Sequence, residues 1–362
     1  MNSSVSLNGL EPDALLQHFT HHPPKGFEAF VLPEGVHGFY ADFDILTTAD
    51  DAVQRKLAKL PGGKWLRRLL YLRTCFIGTT ASEYAPLPEQ IKPSLLVERI
   101  LATWQRRSML LIVKDVPEAS PLLSAQANRY AEDFIAASLA KGFFMVDGQA
   151  LAYVPIDFAS QDEYLARLSS GRRRDIRRKL KARAALRLEV LDTGCERLKD
   201  AALLDELYAQ YLEVYAQSEI HFDLLSPEFF RAVLQDATID GRLFLYWHEE
   251  KIIGHNLCFV YNGMLVDKYV GFRYPVARDC NLYFVSWMEN LNYALANGLS
   301  HYIAGWTDPQ IKAYLGASFT FTRHAVYVRN AILRSILRRL SGLFESDRKW
   351  FETDKNALAP HS

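Results

Sequence analysis

The segment that restricts the fold most is a hairpin: residues 252–261 and 264–272 are long β-rich runs, and Asn262-Gly263 separates them. Asn-Gly supplies the positive-φ positions that a tight turn between twisted strands requires. Around it the second half alternates helices and strands. Periodicity predicts helices over 201–217 and 227–236 and a strand over 242–247 before the hairpin. After it come a helix over 281–296 stopped by Asn297-Gly298 and a strand over 299–304. The first half repeats part of this order. It starts with an aromatic-rich stretch at 38–44 and a basic apolar run at 65–76. A helix over 95–105, a buried strand over 109–113 ended by Asp115-Val116-Pro117, and a helix over 124–139 closing at Lys141-Gly142 follow. Strands over 143–146 and 150–156 flank an Asp147-Gly148 turn. The helix-to-strand junctions at 139–143 and 295–299 match, so two related α/β halves are expected.

At 362 residues and 49% hydrophobic, the chain can bury one large core or two ordinary ones, and a soluble enzyme is the default. Cys75, Cys195, Cys258 and Cys280 are widely spaced, which suggests neither a disulfide framework nor a structural zinc site. The start lacks a secretory pattern and no uncharged apolar run approaches membrane-spanning length, so a cytoplasmic location without a membrane span is expected.

Balanced totals, 42 basic against 42 acidic side chains, hide a local imbalance. Residues 167–187 hold Arg167, Arg172, Arg173, Arg174, Arg177 and Arg178, then Lys179, Lys181, Arg183 and Arg187, with Asp175 as their one acid. At helical spacing Ile176 and Leu180 form a narrow apolar seam. The rest is either a solvated face between domains or a binding surface for coenzyme phosphates, an acidic carrier protein or RNA. No zinc-finger or helix-turn-helix pattern accompanies the cluster, so DNA reading is not expected. Residues 329–340 form a second basic stretch, amphipathic, fit to cover a domain, pair with another subunit or touch an anionic membrane.

The residues that point to chemistry are few. Residues 305–317 carry the strand at 299–304 into an irregular loop that delivers Lys312 beside a Leu-Gly-Ala turn, with Trp306 and Asp308 in the same loop. On the second hairpin strand Asp267 and Tyr269 are expected on one face, as a pair orienting an amine. His255 and Asn256, on the first strand, point to opposite faces, and one of them looks into the cleft. Tyr215, with Tyr211, His221 and Phe222, lines an acceptor pocket or packs the core. Cys280, beside a helix start, is a candidate nucleophile with a lowered pKa.

The run Leu168-Ser169-Ser170, Arg172-Arg173-Arg174 and Ile176 to Leu180, followed by the hairpin domain, its glycine-terminated helix and the late Lys312 before Leu315-Gly316, resembles the GNAT acyltransferase superfamily. The branch is that of the FemAB-like aminoacyltransferases and tandem-GNAT acetyltransferases. The resemblance is strongest over 161–329. It implies an α+β fold of two tandem GNAT-like domains, each a mixed central sheet flanked by helices: 1–165, a basic linking helix 166–187, a catalytic domain 188–330, and an amphipathic segment 331–362. It also implies acyl transfer to a primary, small-molecule amine by direct attack, with no metal. The donor is an acyl-CoA or acyl-carrier thioester; the alternatives are aminoacyl-tRNA gripped by the Arg172–Arg183 helix, or a non-catalytic protein docking an acidic partner there.

Lys312 falls at the family's cleft lysine and would stabilise charge, while Asp267 and Tyr269 orient the acceptor. Trp306, Asp308, Tyr215 and His255 are candidate substrate contacts. The family's glycine-rich pyrophosphate loop is missing. Its place at 273–280 holds Arg273 and Arg278, which with the helix start at Asn281 still attract a phosphate. Ile311 stands where the family often has an aromatic residue.

Overall fold

The computed structural model describes residues 6–44, 71–104, 108–218 and 221–340. The contacts divide the chain into two units. Each is a mixed sheet flanked by helices, so the expected α+β class holds. The run at 65–70 and the segment after 340 lie outside the described residues.

After α1 (Asp13–His21), the strands β1 (Glu28–Val31), β2 (His37–Asp44) and β3 (Tyr71–Ile77) of the first unit pair antiparallel in sequence. Helix α2 (Pro93–Trp104) then carries the chain over the sheet, so that β4 (Leu110–Glu118) lies parallel to β3. Strand β4 does not end at the Asp-Val-Pro signal: Pro117 pairs with Thr322 of β11 (Ser318–Val328), whose antiparallel register continues the strand. Ser124 caps α3 (Ala125–Ala140) by accepting from the Ala127 amide, and Gly142 at φ +90° stops it. The Asp147-Gly148 pair makes no turn. Strand β5 (Phe144–Pro155) runs straight through it, and a Cβ at Gly148 would sit 2.2 Å from Thr322 Oγ1. Close approach, not positive φ, requires that glycine. The core gathers Phe134, Leu111, Val113 and Trp104. Helix α11 (Ala331–Leu340) lays Arg334 over the Tyr327 ring, 4.7 Å from its centroid, and buries Leu337.

The second unit takes the end of β5, which pairs antiparallel with β10 (His301–Gly305). Next come β9 (Met264–Phe272), parallel to β10, then β8 (Lys251–Tyr261), β7 (Gly241–His248) and β6 (Leu186–Asp192), each antiparallel to the last. The hairpin is as expected: Asn262 at φ +48° and Gly263 at φ +70° form its turn. Helices α6 (Ala201–Tyr215) and α7 (Pro227–Gln235) cover one face, where His255 meets Gln210 and Tyr269 meets Phe229. Helix α9 (Leu282–Ala296), preceded by the short α8 (Val276–Asp279), covers the other, where Asn290 meets Tyr302.

The contacts divide elsewhere than the expected boundaries at 165 and 330. One division falls after Ala150, inside β5, and another after Phe319, inside β11. Each terminal strand begins in one unit and completes its pairing in the other, which a boundary drawn between elements cannot represent. The basic stretch is part of the second unit rather than a link: α5 (Ser170–Leu180), preceded by α4 (Gln161–Ala166), buries Ile176 in its core beside Leu186.

Candidate functional site

Parallel strands β9 and β10 stay paired over three positions, His301↔Met264, Tyr302↔Leu265 and Ile303↔Val266. Pairing stops there, while the other edge of β10 shifts register between Ile303 and Gly305. Asp267 and Gly305 therefore stand where the two strands open. A Cβ at Gly305, itself at φ +79°, would lie 3.8 Å from the Asp267 carbonyl oxygen and 3.9 Å from Lys312 Nζ. The lysine does not sit in an irregular loop. Asp308, left-handed at φ +53°, and Pro309 start α10 (Pro309–Leu315), and Gly316 at φ +103° ends it. Lys312 is buried on this helix, and its ammonium donates to Ala304 O at 2.6 Å.

Asp267 is the hub. Its Oδ2 accepts from Asn256 Nδ2 at 3.0 Å, Asn290 Nδ2 at 3.0 Å and the Tyr302 hydroxyl at 2.9 Å. Oδ1 takes a longer bond, 3.3 Å, from Asn256. A carboxylate only accepts, so both amides must turn their NH₂ toward it. That leaves Asn256 Oδ1 and Asn290 Oδ1, buried, without a hydrogen-bond partner among the described residues, and the Tyr246 hydroxyl is in the same condition. Each buried acceptor left unmade costs about 1–3 kcal/mol. Two or three of them would amount to a large part of a typical folding margin of roughly 5–15 kcal/mol.

Burial raises the Asp267 pKa, and that effect outweighs the Tyr302 and Asn256 hydrogen bonds, the Lys312 charge and the Cys258 thiol, all of which lower it. Burial likewise pushes the Tyr302 and Tyr246 phenols and the Cys258 thiol well up, so each stays protonated at neutral pH. Asp267 itself is partly accessible, unlike its two asparagine partners.

The expected Asp267 and Tyr269 pair on one face is contradicted. A bulge shifts the hairpin register between Leu257 and Cys258, so Cys258 opposes Asp267 while Leu257 opposes Tyr269. The extra residue, Lys268, breaks the period-two alternation. Asp267 consequently faces α9, whereas Tyr269 packs edge-on against Phe229 at 5.8 Å on the α6–α7 face. His255 shares that second face. It is fully buried beside Gln210, with Nδ1 3.2 Å from Gln210 Oε1, and burial drops its pKa to about 3. As a neutral, enclosed ring it cannot relay protons at neutral pH. Its neighbour Asn256 is the one that reaches the strand opening.

Other candidates are dispersed. Tyr215 belongs to an aromatic row, 6.2 Å from Tyr211 and 5.0 Å from His221. Arg273 is held by Glu206 at 2.9 Å and Glu213 at 3.0 Å, so its charge is already balanced. Arg278 is exposed over the Tyr274 ring and bonded to Gln217. Asn281 precedes α9 in a left-handed conformation at φ +49°. Trp306 is partly buried and Asp308 exposed. Cys280 is not activated: burial raises its pKa, and Asp279 raises it further. Sequence reasoning missed Asn290 and Tyr302. The signal for Asn290 was an amide on the buried stripe of the helix, four residues after buried Ser286 and before buried Ala294.

The cations of α5 and of the 3₁₀ turn that follows it (Lys181–Ala185) divide between two tasks. Arg172 donates to Ala313 O at 3.1 Å and Tyr314 O at 3.4 Å, capping the end of the helix that carries Lys312. Lys179 lies 3.8 Å from the Phe284 ring centroid, and Arg183 bonds Glu289 at 2.6 Å. The opposite side is an open groove lined by Ser170, Arg173, Arg174, Arg177, Arg178 and Lys181. Asp162 and Asp175 pair with Arg177 and Arg178. Arg173, Arg174 and Lys181 have no carboxylate partner among the described residues.

Residues 91–349 match the model of a family described as FemAB-like, peptidoglycan biosynthesis/recognition. No functionally curated protein matches the sequence. Among solved structures the chain is similar to the C-terminal domain of a putative lysylphosphatidylglycerol synthetase from Agrobacterium fabrum, with a TM-score of 0.56 and 11% identity over 92% of each chain. It is similar to L-PGS from Bacillus licheniformis, with a TM-score of 0.52 and 11% identity over 92% of this chain and 98% of that one. FemX gives a TM-score of 0.52 and 12% identity over 90% and 98%. At such identities the likeness is one of fold. The family match spans well over half of the residues, and the chain belongs to the FemAB-like family.

Proposed function

We propose that this chain is an aminoacyltransferase that moves an aminoacyl group from aminoacyl-tRNA to a primary amine. The observation that carries this reading is the groove on α5, where five cations line one open surface of a chain whose total charge is zero. A polyanion repays such a surface by releasing counterions. The FemAB-like family supplies the chemistry, and the likeness to an lysylphosphatidylglycerol synthetase domain agrees with an aminoacyl cargo. A coenzyme A or carrier thioester, the donor first expected from the sequence, has less support: Arg273 is engaged by two glutamates and only Arg278 remains exposed near the start of α9.

The acceptor amine, as the free base, attacks the ester carbonyl. An amide C–N bond forms, the ester C–O bond breaks, and the proton lost by the amine ends on the ribose hydroxyl. Lys312 faces the strand opening and stabilises the developing oxyanion, a contribution of about 3 kcal/mol for a well-placed donor. Arg172 holds that lysine's helix in position, so the RNA-binding helix and the reacting group form one assembly.

Binding of tRNA across a salt series tests the reading. Neutralising four or five phosphates gives a slope of roughly −3 to −5 in log K against log salt. Arg174→Glu with Lys181→Glu should flatten the slope by about two units, since both side chains are exposed and neither holds the fold. Salt-independent binding, or an unchanged slope in the double variant, would remove the RNA donor.

A further inference from the structure

The chemistry around Asp267 selects a particular kind of group. Oδ2 takes three donors and Oδ1 the longer Asn256 bond, and the carboxylate also accepts from the Cys258 thiol. The two amides whose nitrogens bond this carboxylate, Asn256 and Asn290, each keep an Oδ1 without a hydrogen-bond partner among the described residues. One anionic oxygen and two neutral carbonyl oxygens make three acceptors. A primary ammonium has three N–H donors and no acceptor.

We propose that this cluster binds the α-ammonium of the aminoacyl donor, leaving the adjacent ester carbonyl to Lys312. The inference rests on the aminoacyl-donor reading above and goes further, since it assigns the recognition of the cargo. Ammonium and carbonyl sit on neighbouring carbons of every aminoacyl ester. At the strand opening Gly305 borders the Asp267 backbone carbonyl and the Lys312 ammonium, and the Asp267 carboxylate lies within electrostatic reach of that ammonium. The bond from Lys312 to Ala304 O fixes its ammonium at this opening.

The attacking amine is a worse fit for this cluster. Three acceptors stabilise the protonated form, which cannot attack. A group that stays an ammonium throughout the reaction suffers no such penalty.

The test compares two probes on the full chain by calorimetric titration: 3′-alanylamino-3′-deoxyadenosine, a non-hydrolysable aminoacyl end, and its N-acetyl counterpart. The free-amine form should bind about 10- to 100-fold more tightly, as hydrogen bonds to a charged group predict. Asp267→Asn should reduce that ratio to near one, while the affinity for the N-acetyl probe stays as it was. The two-probe comparison in the unmodified chain needs no variant to fold. Equal affinities, or no binding of either probe at millimolar concentration, overturn the ammonium site. Discrimination between the probes without transfer from any aminoacyl-tRNA overturns the RNA donor and leaves the ammonium site standing. Transfer from aminoacyl-tRNA without discrimination does the reverse.

Discussion

Each unit contains a parallel strand pair that opens beside a bulge, and in each the opening holds a lysine and an aspartate. In the first unit β3 and β4 part after Ile77↔Val113, and the β4–β11 register shifts between Arg323 and Ala325. Lys114 there donates to Thr79 O at 2.9 Å and to the neighbouring Asp115 carboxylate. Asp115, left-handed at φ +55°, gives its backbone N–H to His324 Nδ1 at 3.0 Å and takes a hydrogen bond from Thr322. Every charge is balanced in place. In the second unit the lysine is spent on a carbonyl, the carboxylate gathers amides, and those amides leave acceptors open. The same strand geometry thus closes on itself in one unit, whereas in the other it is the proposed place of the ligand. An opened strand pair is a place for a site, and the surrounding hydrogen bonds decide whether it becomes one.

Substituting the two lysines should separate the openings most sharply. Lys312→Met is expected to lower turnover by about 10²- to 10³-fold with an unchanged circular dichroism spectrum. Lys114→Met should leave turnover intact but cost about 2–4 kcal/mol in urea unfolding, because it strands the Asp115 carboxylate. Exchanged outcomes would reverse the comparison.

The acidity of Asp267 gives an intermediate effect. Because burial raises its pKa, transfer should fall on acidification through a limb above the ordinary carboxylate value, as the site loses its anion. In stability the sign is opposite: the folded state holds the proton more firmly than the unfolded chain, so ionisation costs stability as pH rises through the raised value. Asp267→Asn should abolish the activity limb and flatten that part of the stability curve. Persistence of the limb would assign it to another group.

The smallest effect on transfer concerns a residue behind the sheet. His255 stays neutral in the fold down to about pH 3, while the unfolded chain takes up a proton near 6.5. Its contribution is therefore fully present above pH 6.5 and is lost as pH falls toward 3, at up to ~1.4 kcal/mol per pH unit. His255→Gln, measured by urea unfolding from pH 7 to 4, should show a shallower slope with little change in the pH profile of transfer. A changed profile would bring the imidazole back into the chemistry.

Much of the fold was legible because its signals are local. Asn262-Gly263 marked the hairpin, Ser124 and Gly142 bracketed α3, and Ile176 marked the buried seam of α5. What escaped depends on distant partners. Asp147-Gly148 reads as a turn until Thr322 arrives opposite it, and the strand through Pro117 is held by β11, some two hundred residues later. Within the site, Lys312 was visible from its loop and Asp267 from its strand. Their surroundings were not: one extra residue at Lys268 sends Tyr269 to the far face, and Asn290 and Tyr302 come from a helix and a strand that sequence spacing cannot bring together.

The central claim, that the second opening transfers an aminoacyl group carried by RNA, is tested most directly by single-turnover transfer of a labelled amino acid to a primary amine. The donors compared are aminoacyl-tRNA and the corresponding acyl-CoA. The account predicts amide product from aminoacyl-tRNA, lost after ribonuclease treatment of the donor and lost in Lys312→Met. Product from acyl-CoA that ribonuclease does not affect would contradict it.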